Sequence, residues 1–509
     1  MPLLIEDYAL IGDCQTAALV GRDGSIDWLC FPYFDSPACF AALLGGPENG
    51  RWQLAPAEPP KQVERRYRGD TLILETDYET AEGAVTVVDC MPPRGAEPDL
   101  VRLVIGRRGN VRMRMELRIR FDYGSLVPWV RRLDGGRLYA VAGRDTLTLD
   151  TPAHIHGEDL TTVAEFTVAA GEEIPMVLMW QASHLPPPER IDPREAIRFT
   201  DQWWRDWSSR CTYEGPWRDA VMRSLITLKA LTFAPTGGIV AAPTTSLPEH
   251  IGGVRNWDYR FCWLRDATFT LYSLLNTGYD GEALAFRDWL LRVAAGDPAK
   301  IHIMYSIFGE RRLTEVELPW LAGYENSQPV RTGNAASEQF QLDVYGEVLD
   351  MLNVCRREGL PADENVWRME VSLLKFLETA WQTPDEGIWE VRGPRRHFTH
   401  SKMMAWVAFD RAIKTVECGH REGPLDKWRP IRDRIHREVC DQGFNRQLNS
   451  FTQYYGGDLL DASLLMAPLV GFLPPEDPRI VGTVEAIGKT LARDGFVDRY
   501  ETRAHVDGL

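Results

Sequence analysis

Thr383-Pro-Asp-Glu-Gly-Ile-Trp-Glu-Val-Arg-Gly393 lies between two strongly periodic segments, 363–381 and 399–417. Apolar residues recur there at helical spacing, so the unit reads as two helices joined by an elaborate loop. A plain turn has no need of Trp389, three acids and Arg392, with Trp381 just ahead of them. Loops on a rigid scaffold carry a large share of binding and catalytic groups. Glu390 directly follows Trp389. An aromatic neighbour can shield a carboxyl from water and raise its pKa, as a general acid working near neutral pH requires. The competing reading of this stretch by itself is a solvated connection with incidental charges.

Working outward, the same 3.6 period predicts helices over 217–233, 265–276, 281–295, 335–354, 425–440, 459–470 and 478–493. Their spacing is no fixed short repeat, which excludes a TPR-like solenoid. Helical hairpins set in a ring would gather the long loops at one end. Upstream the period changes to two. Residues 111–123 alternate strictly between apolar and charged, the mark of an antiparallel strand with one wet face. Strands are also expected at 17–20 and 25–30, flanking the turn Gly21-Arg22-Asp23-Gly24, and at 71–76, 84–90, 100–106, 137–142, 161–168 and 174–181. That series implies a β-sandwich. Leu185-Pro-Pro-Pro-Glu189 ends it with a stiff linker, and a helix over 193–210 follows, with Asp192 as its N-cap and Pro193 in its first position. Trp203, Trp204 and Trp207 on that helix read as glue between domains. The expected organisation is a β-domain over 1–188, a linker helix over 189–213 and a helical domain over 214–509.

A chain of 509 residues is long enough for two or three domains. Its net charge of −16 argues against nucleic acid and anionic membrane surfaces as partners. No apolar run approaches a transmembrane length, and the first residues lack the basic-then-apolar pattern of a secretory signal. Nine cysteines without a Cys-x-x-Cys spacing read as reduced thiols, so a cytoplasmic protein is expected. His302, His397, His400 and His420 show no metal-ligand spacing, and there is no phosphate loop and no Gly-x-Ser-x-Gly elbow. No metal or cofactor is expected.

Two further loops share the character of the first. Arg255-Asn-Trp-Asp-Tyr-Arg-Phe-Cys-Trp-Leu-Arg-Asp266 combines aromatic rings with arginines and acids, and 318–334 adds Tyr324, Arg331 and several amides. Aromatic faces cover the C–H faces of a pyranose, while carboxylates and guanidinium groups bind its hydroxyls. Arg265-Asp266 reads equally well as an ion pair at a helix start.

The pattern Asp258-Tyr259-x-x-x-Trp263-x-Arg265-Asp266, with Gly387-Ile-Trp-Glu390, resembles glycoside hydrolase family 15, the glucoamylases and related trehalases. Ile5-Glu-Asp-Tyr-Ala-Leu-Ile-Gly-Asp13 and Gly24-Ser-Ile-Asp-Trp-Leu-Cys30 are similar to the trehalase-like N-terminal domain of its bacterial branch. The resemblance runs from about residue 3 to the last residue. It implies a multidomain β plus all-α protein, an N-terminal β-supersandwich followed by an (α/α)6 barrel. It implies Glu390 as general acid, with Tyr259, Trp263, Arg265 and Asp266 lining the pocket for the non-reducing glucose, Trp389 beside them and Arg331 as a further sugar contact. The implied activity is inverting, exo-acting hydrolysis of an α-linked glucose disaccharide or oligosaccharide. Inversion needs a second carboxylate roughly 6.5–9.5 Å away to activate water. In the family that base follows a stretch similar to Asp498-Arg-Tyr500 and Val506-Asp-Gly-Leu509, where this sequence stops. Nine barrel helices are expected where six hairpins need twelve. The sequence therefore reads as truncated, with the barrel incomplete, the base absent, apolar helix faces exposed and weak activity. Glu310, Glu325 and Glu338 stand near suitable loops, and nothing in their spacing selects one. Two readings accommodate an absent base: a phosphate-dependent phosphorylase and a non-catalytic glycan-binding protein.

Overall fold

The strand Asp99–Arg118 organises the first part of the chain. Its first half pairs with Gly83–Cys90 and Glu173–Ala182; its second half pairs with Arg51–Pro56 and Thr161–Ala169. It thus belongs to two sheets at once. Val111, Met113, Met115 and Leu117 point into the core while Arg112, Arg114, Glu116 and Arg118 face outward, as the alternation requires. Two strands were expected here, 100–106 and 111–123. They are continuous because the strand absorbs one extra residue, Arg107, as a bulge: the consecutive partners Ala84 and Val85 face Arg108 and Gly106. The strand also stops at Arg118, since the chain turns back where Phe121 and Leu126 exchange backbone hydrogen bonds. All strand pairings among the described residues are antiparallel. Ile11, Val20, Trp52, Leu54, Val104, Met113 and Leu178 belong to one apolar core. Each Val, Leu, Ile or Met side chain among them contributes about 1.5–3 kcal/mol when fully buried.

This computed structural model describes residues 2–501 except Ala96, Asp134 and Ala362. The stretch 506–509, part of the resemblance above, lies outside the described residues. The chain forms two compact units. The first is Met1–Phe261, Thr277–Tyr279 and Thr314–Asn334; the second is Cys262–Asn276, Asp280–Leu313 and Ala335–Leu509.

In the first unit the sheets are followed by helices α1 (Pro193–Ser208) and α2 (Arg218–Ala230). The Asp192 carboxylate accepts from the Arg194 and Glu195 amides and so caps α1. Trp204 and Trp207 are buried, and Trp207 stacks on Tyr279 with ring centroids 4.1 Å apart.

The second unit is helical: α3 (Leu264–Leu275), α4 (Asp280–Val293), α5 (Asp343–Arg357), α6 (Glu364–Ala380), α7 (Thr399–Glu417), α8 (Leu425–Gln442), α9 (Met466–Leu469) and α10 (Pro478–Thr490). Helix α5 packs against both α3 and α7, which makes these three an inner layer. Nearly every residue of α7 from Thr399 to Ile413 is buried, whereas α8 buries only Trp428, Ile435 and Val439 against it. Gly346 permits the close approach of α5 to α7, for a Cβ there would stand 2.2 Å from the Met404 carbonyl oxygen. On α3, Phe269 and Tyr272 are about half exposed. No helix among the described residues is long and apolar enough to cross a membrane.

Two expected helices are broken. The span 335–354 becomes a 3-10 turn, Ala335–Glu338, then a non-helical step before α5 begins at Asp343. The span 459–470 becomes a 3-10 turn, Ala462–Leu465, running into the single turn α9. In the first case hydrogen bonds from residues 339–342 to another loop replace those of a continuous helix. In the second the Asp461 carboxylate caps the turn late, and Pro468 has no N–H to give to a longer helix.

Candidate active site

The loop between α6 and α7 is closed at its base by a pair of backbone bonds. The Asp385 amide donates to the Arg396 carbonyl at 3.0 Å, and the Arg396 amide to Asp385 at 2.9 Å. Lys402, fully buried on α7, donates from Nζ to the Trp381 and Thr383 carbonyl oxygens, each at 2.5 Å. Burial lowers the Lys402 pKa to about 8 and raises that of neighbouring Asp385 to about 7. Gly387 turns the chain with φ of 75°, and a Cβ there would press on the Phe398 ring at 2.8 Å. Three residues later Glu390 itself has φ of 58°. That left-handed conformation is uncommon outside glycine and costs of order 1–3 kcal/mol, so it persists only where the surroundings impose it.

The surroundings come from the start of α3. The indole Nε1 of Trp263 donates to Glu390 Oε1 at 2.6 Å. Arg265 donates from Nη1 to the Ile388 carbonyl oxygen at 2.6 Å, and its Nη2 lies 3.4 Å from the same Glu390 Oε1. The second carboxylate oxygen, Oε2, takes part in neither contact. Burial raises the Glu390 pKa above the ordinary glutamate value; Arg265 and the Trp263 hydrogen bond oppose the rise, and Asp266 adds to it. The side chain is 19% exposed, so its carboxyl still reaches solvent.

Arg265 also pairs with Asp266 at 3.0 Å. Burial works against its charge, but Asp266, Glu390, Asp343 and Glu347 outweigh that and raise its pKa. Asp343 and Glu347 are buried on α5, and burial raises the pKa of both. His400 on α7 is buried, and desolvation with the Arg265 charge lowers its pKa to about 3, leaving it neutral. Trp389 is held separately: its Nε1 lies 3.0 Å from both carboxylate oxygens of Asp461. The indole that hydrogen-bonds Glu390 is therefore Trp263, while the N–H of its sequence neighbour Trp389 is turned to Asp461.

Of the predicted site residues, Trp263, Arg265, Asp266, Trp389 and Glu390 come together in this helical unit. Tyr259 and Arg331 belong to the first unit. There the Tyr259 hydroxyl donates to Glu249 at 3.3 Å. The Arg331 guanidinium lies over Trp257, donates to the Val254 carbonyl oxygen and stands 3.5 Å from both Glu315 and Glu317. Glu310, Glu325 and Glu338 are exposed, and their positions assign none of them a role. Sequence reasoning passed over Lys402, Asp343, Glu347 and Asp461. A detectable signal existed for Asp343 and Glu347, two acids one turn apart on the apolar face of a helix. Among the described residues no cluster of three or more His, Cys, Asp or Glu is arranged to hold a metal ion.

Comparison with known proteins agrees with this scaffold. Residues 215–508 match the family model for glycosyl hydrolases family 15, and residues 2–192 match that for the trehalase-like N-terminal domain. A trehalase of Mycobacterium tuberculosis is 37% identical over 99% of this chain and 78% of that protein. A trehalase of Thermoplasma acidophilum is 33% identical over 94% of this chain and 83% of its own length. Among solved structures, a bacterial glucoamylase complexed with acarbose superposes with a TM-score of 0.70 at 11% identity, over 96% of this chain and 79% of that one. The β-domain followed by a helical domain is thus a fold shared with a glucoamylase, and the chain is a glycoside hydrolase. Within that class it belongs to glycosyl hydrolases family 15.

Proposed function

We propose that this chain hydrolyses trehalose, with inversion at the glucose carbon attacked, and that Glu390 is the proton donor. The observation that carries the reading is the state of the Glu390 carboxyl. One oxygen is engaged by Trp263 and Arg265, which leaves Oε2 to carry the proton. Burial keeps that proton on to higher pH than an ordinary glutamate would. A donor so placed protonates the glycosidic oxygen as the C–O bond breaks, while a water polarised by a second carboxylate attacks the opposite face. No described residue is assigned as that base. Arg265, Asp266, Trp263 and Trp389 supply the aromatic and charged contacts that a terminal glucose needs. Tyr259 and Arg331 enter the list through loop composition and the family resemblance. The names of the relatives support trehalose over longer glucans.

The test is the anomeric outcome, followed by proton NMR immediately after mixing the purified chain with trehalose. Inversion releases one β-glucose and one α-glucose per trehalose, ahead of mutarotation. Release of α-glucose alone would overturn inversion. An undiminished rate in Glu390→Gln would overturn the assignment of the donor.

A further inference from the structure

The predicted helix over 335–354 fails at 339–342, and what those residues do instead concerns Glu390. The Phe340 amide donates to the Glu386 carboxylate at 2.9 Å, and the Glu386 amide donates back to the Phe340 carbonyl oxygen at 3.2 Å. The Leu342 amide donates to Asp385 Oδ2 at 3.0 Å. The side chain of Gln339 completes the edge: its Nε2 donates to the carbonyl oxygens of Glu390 at 3.3 Å and Val391 at 3.2 Å. Gln341, itself buried, donates to Gln339 Oε1 at 3.1 Å and so orients the amide, leaving its NH2 group toward the loop. Five hydrogen bonds therefore splint 385–391 along one edge. Of these five, the bond from Gln339 to the Glu390 carbonyl oxygen reaches the backbone of the left-handed residue, and its companion reaches the next peptide group.

We infer that Gln339 is a positioning residue for the proton donor, holding the Glu390 backbone in its left-handed turn so that Oε2 meets the glycosidic oxygen. The inference rests on the reading of Glu390 as general acid. Two restraints then act on this residue from different sides. Trp263 and Arg265 fix the carboxylate, and Gln339 fixes the peptide groups on which it pivots. A strained residue keeps its conformation only where its neighbours over-determine it. Misplacement of a reacting group by about 1 Å costs on the order of 100-fold in rate.

The experiment compares two substrates whose leaving groups differ in their need of a proton. Trehalose requires a donor; α-glucosyl fluoride departs as fluoride with little help from one. Gln339→Ala removes both hydrogen bonds. Gln339→Glu keeps the volume and places an acceptor against two acceptors, and it carries the test should the alanine variant not fold. The expected result is a kcat on trehalose lowered about 10- to 100-fold. KM should be little changed, and the loss on the fluoride should stay under about threefold, since its departure draws little on the donor. A parallel loss on both substrates would make Gln339 a structural residue and overturn the inference, as would no loss on either. Glu390→Gln in the same assay separates the two claims. If it spares trehalose hydrolysis, the donor assignment falls. If it shows the leaving-group pattern and the Gln339 variants do not, only the positioning role falls.

Discussion

Asp258–Arg260 and Arg265–Glu390 are both arginine–carboxylate pairs whose arginines stand five positions apart in one motif, and their environments differ in kind. Asp258 and Arg260 have side chains 0% and 2% exposed, joined at 2.7 Å. The Arg260 guanidinium also donates to the Ser36 and Phe34 carbonyl oxygens and to the Tyr123 hydroxyl. Asp258 in turn accepts from the Gly333 and Arg260 amides. Every ordinary requirement of a buried ion pair is met there, which makes it a fixture of the first unit. In the second unit, Arg265 stands 3.4 Å from Glu390, divides its charge among four acids, and faces a glutamate with a strained backbone and a side chain 19% exposed. The charges are alike in the two places, although the first pair is two residues apart and the second 125. Saturation of hydrogen bonds marks the first as structural; in the second it is incomplete, as the proposed role of Glu390 requires.

Breaking that contrast begins with Glu390, the proposed donor. Glu390→Gln is expected to lower kcat on trehalose about 10²- to 10⁴-fold, the range general-acid catalysis contributes. The same variant should melt no lower than the parent at pH 7. Folding raises this carboxyl's pKa above its unfolded value of about 4.3. The folded state therefore binds that proton more tightly, so its contribution to stability is present at low pH and lost as pH climbs through the raised value. Glutamine removes the loss. A lower melting temperature in differential scanning calorimetry would contradict the electrostatics described for the site.

Arg260→Met should do the reverse. Leaving Asp258 charged and unpaired in the interior costs about 3–5 kcal/mol, read as a lower urea midpoint with no specific effect on the fraction that stays folded. An activity loss per folded molecule would blur the distinction between the pairs. A smaller effect is expected from Trp263→Phe. The lost hydrogen bond favoured the ionised donor, so the alkaline limb of the kcat–pH profile should move to higher pH. Movement to lower pH would mean that another group controls that limb. Smallest of all, Asp192→Ala removes the cap of α1 and should cost about 1 kcal/mol without altering kcat.

The site was legible where chemistry and local pattern coincide. Helix α7 has the span 399–417 read from its period, because an inner helix repeats its apolar positions without interruption. Trp263, Arg265 and Glu390 were selected by residue type and motif, and they do meet. The motif sets Trp389 next to Glu390 in sequence; in the fold its indole N–H donates to Asp461, and the indole that hydrogen-bonds Glu390 comes from Trp263. Adjacency along the chain does not set which side chains share a face of a left-handed turn.

The sequence by itself determined the β-then-α order and the family, since periodicity, composition and residue chemistry are local properties. Tertiary structure alone decided that residues 339–342 leave the helix to bond a loop some fifty residues on. It also decided that two arginines five positions apart fall to different tasks. Both outcomes turn on which backbone and side-chain donors find partners once water is excluded, and that is known only after distant segments meet.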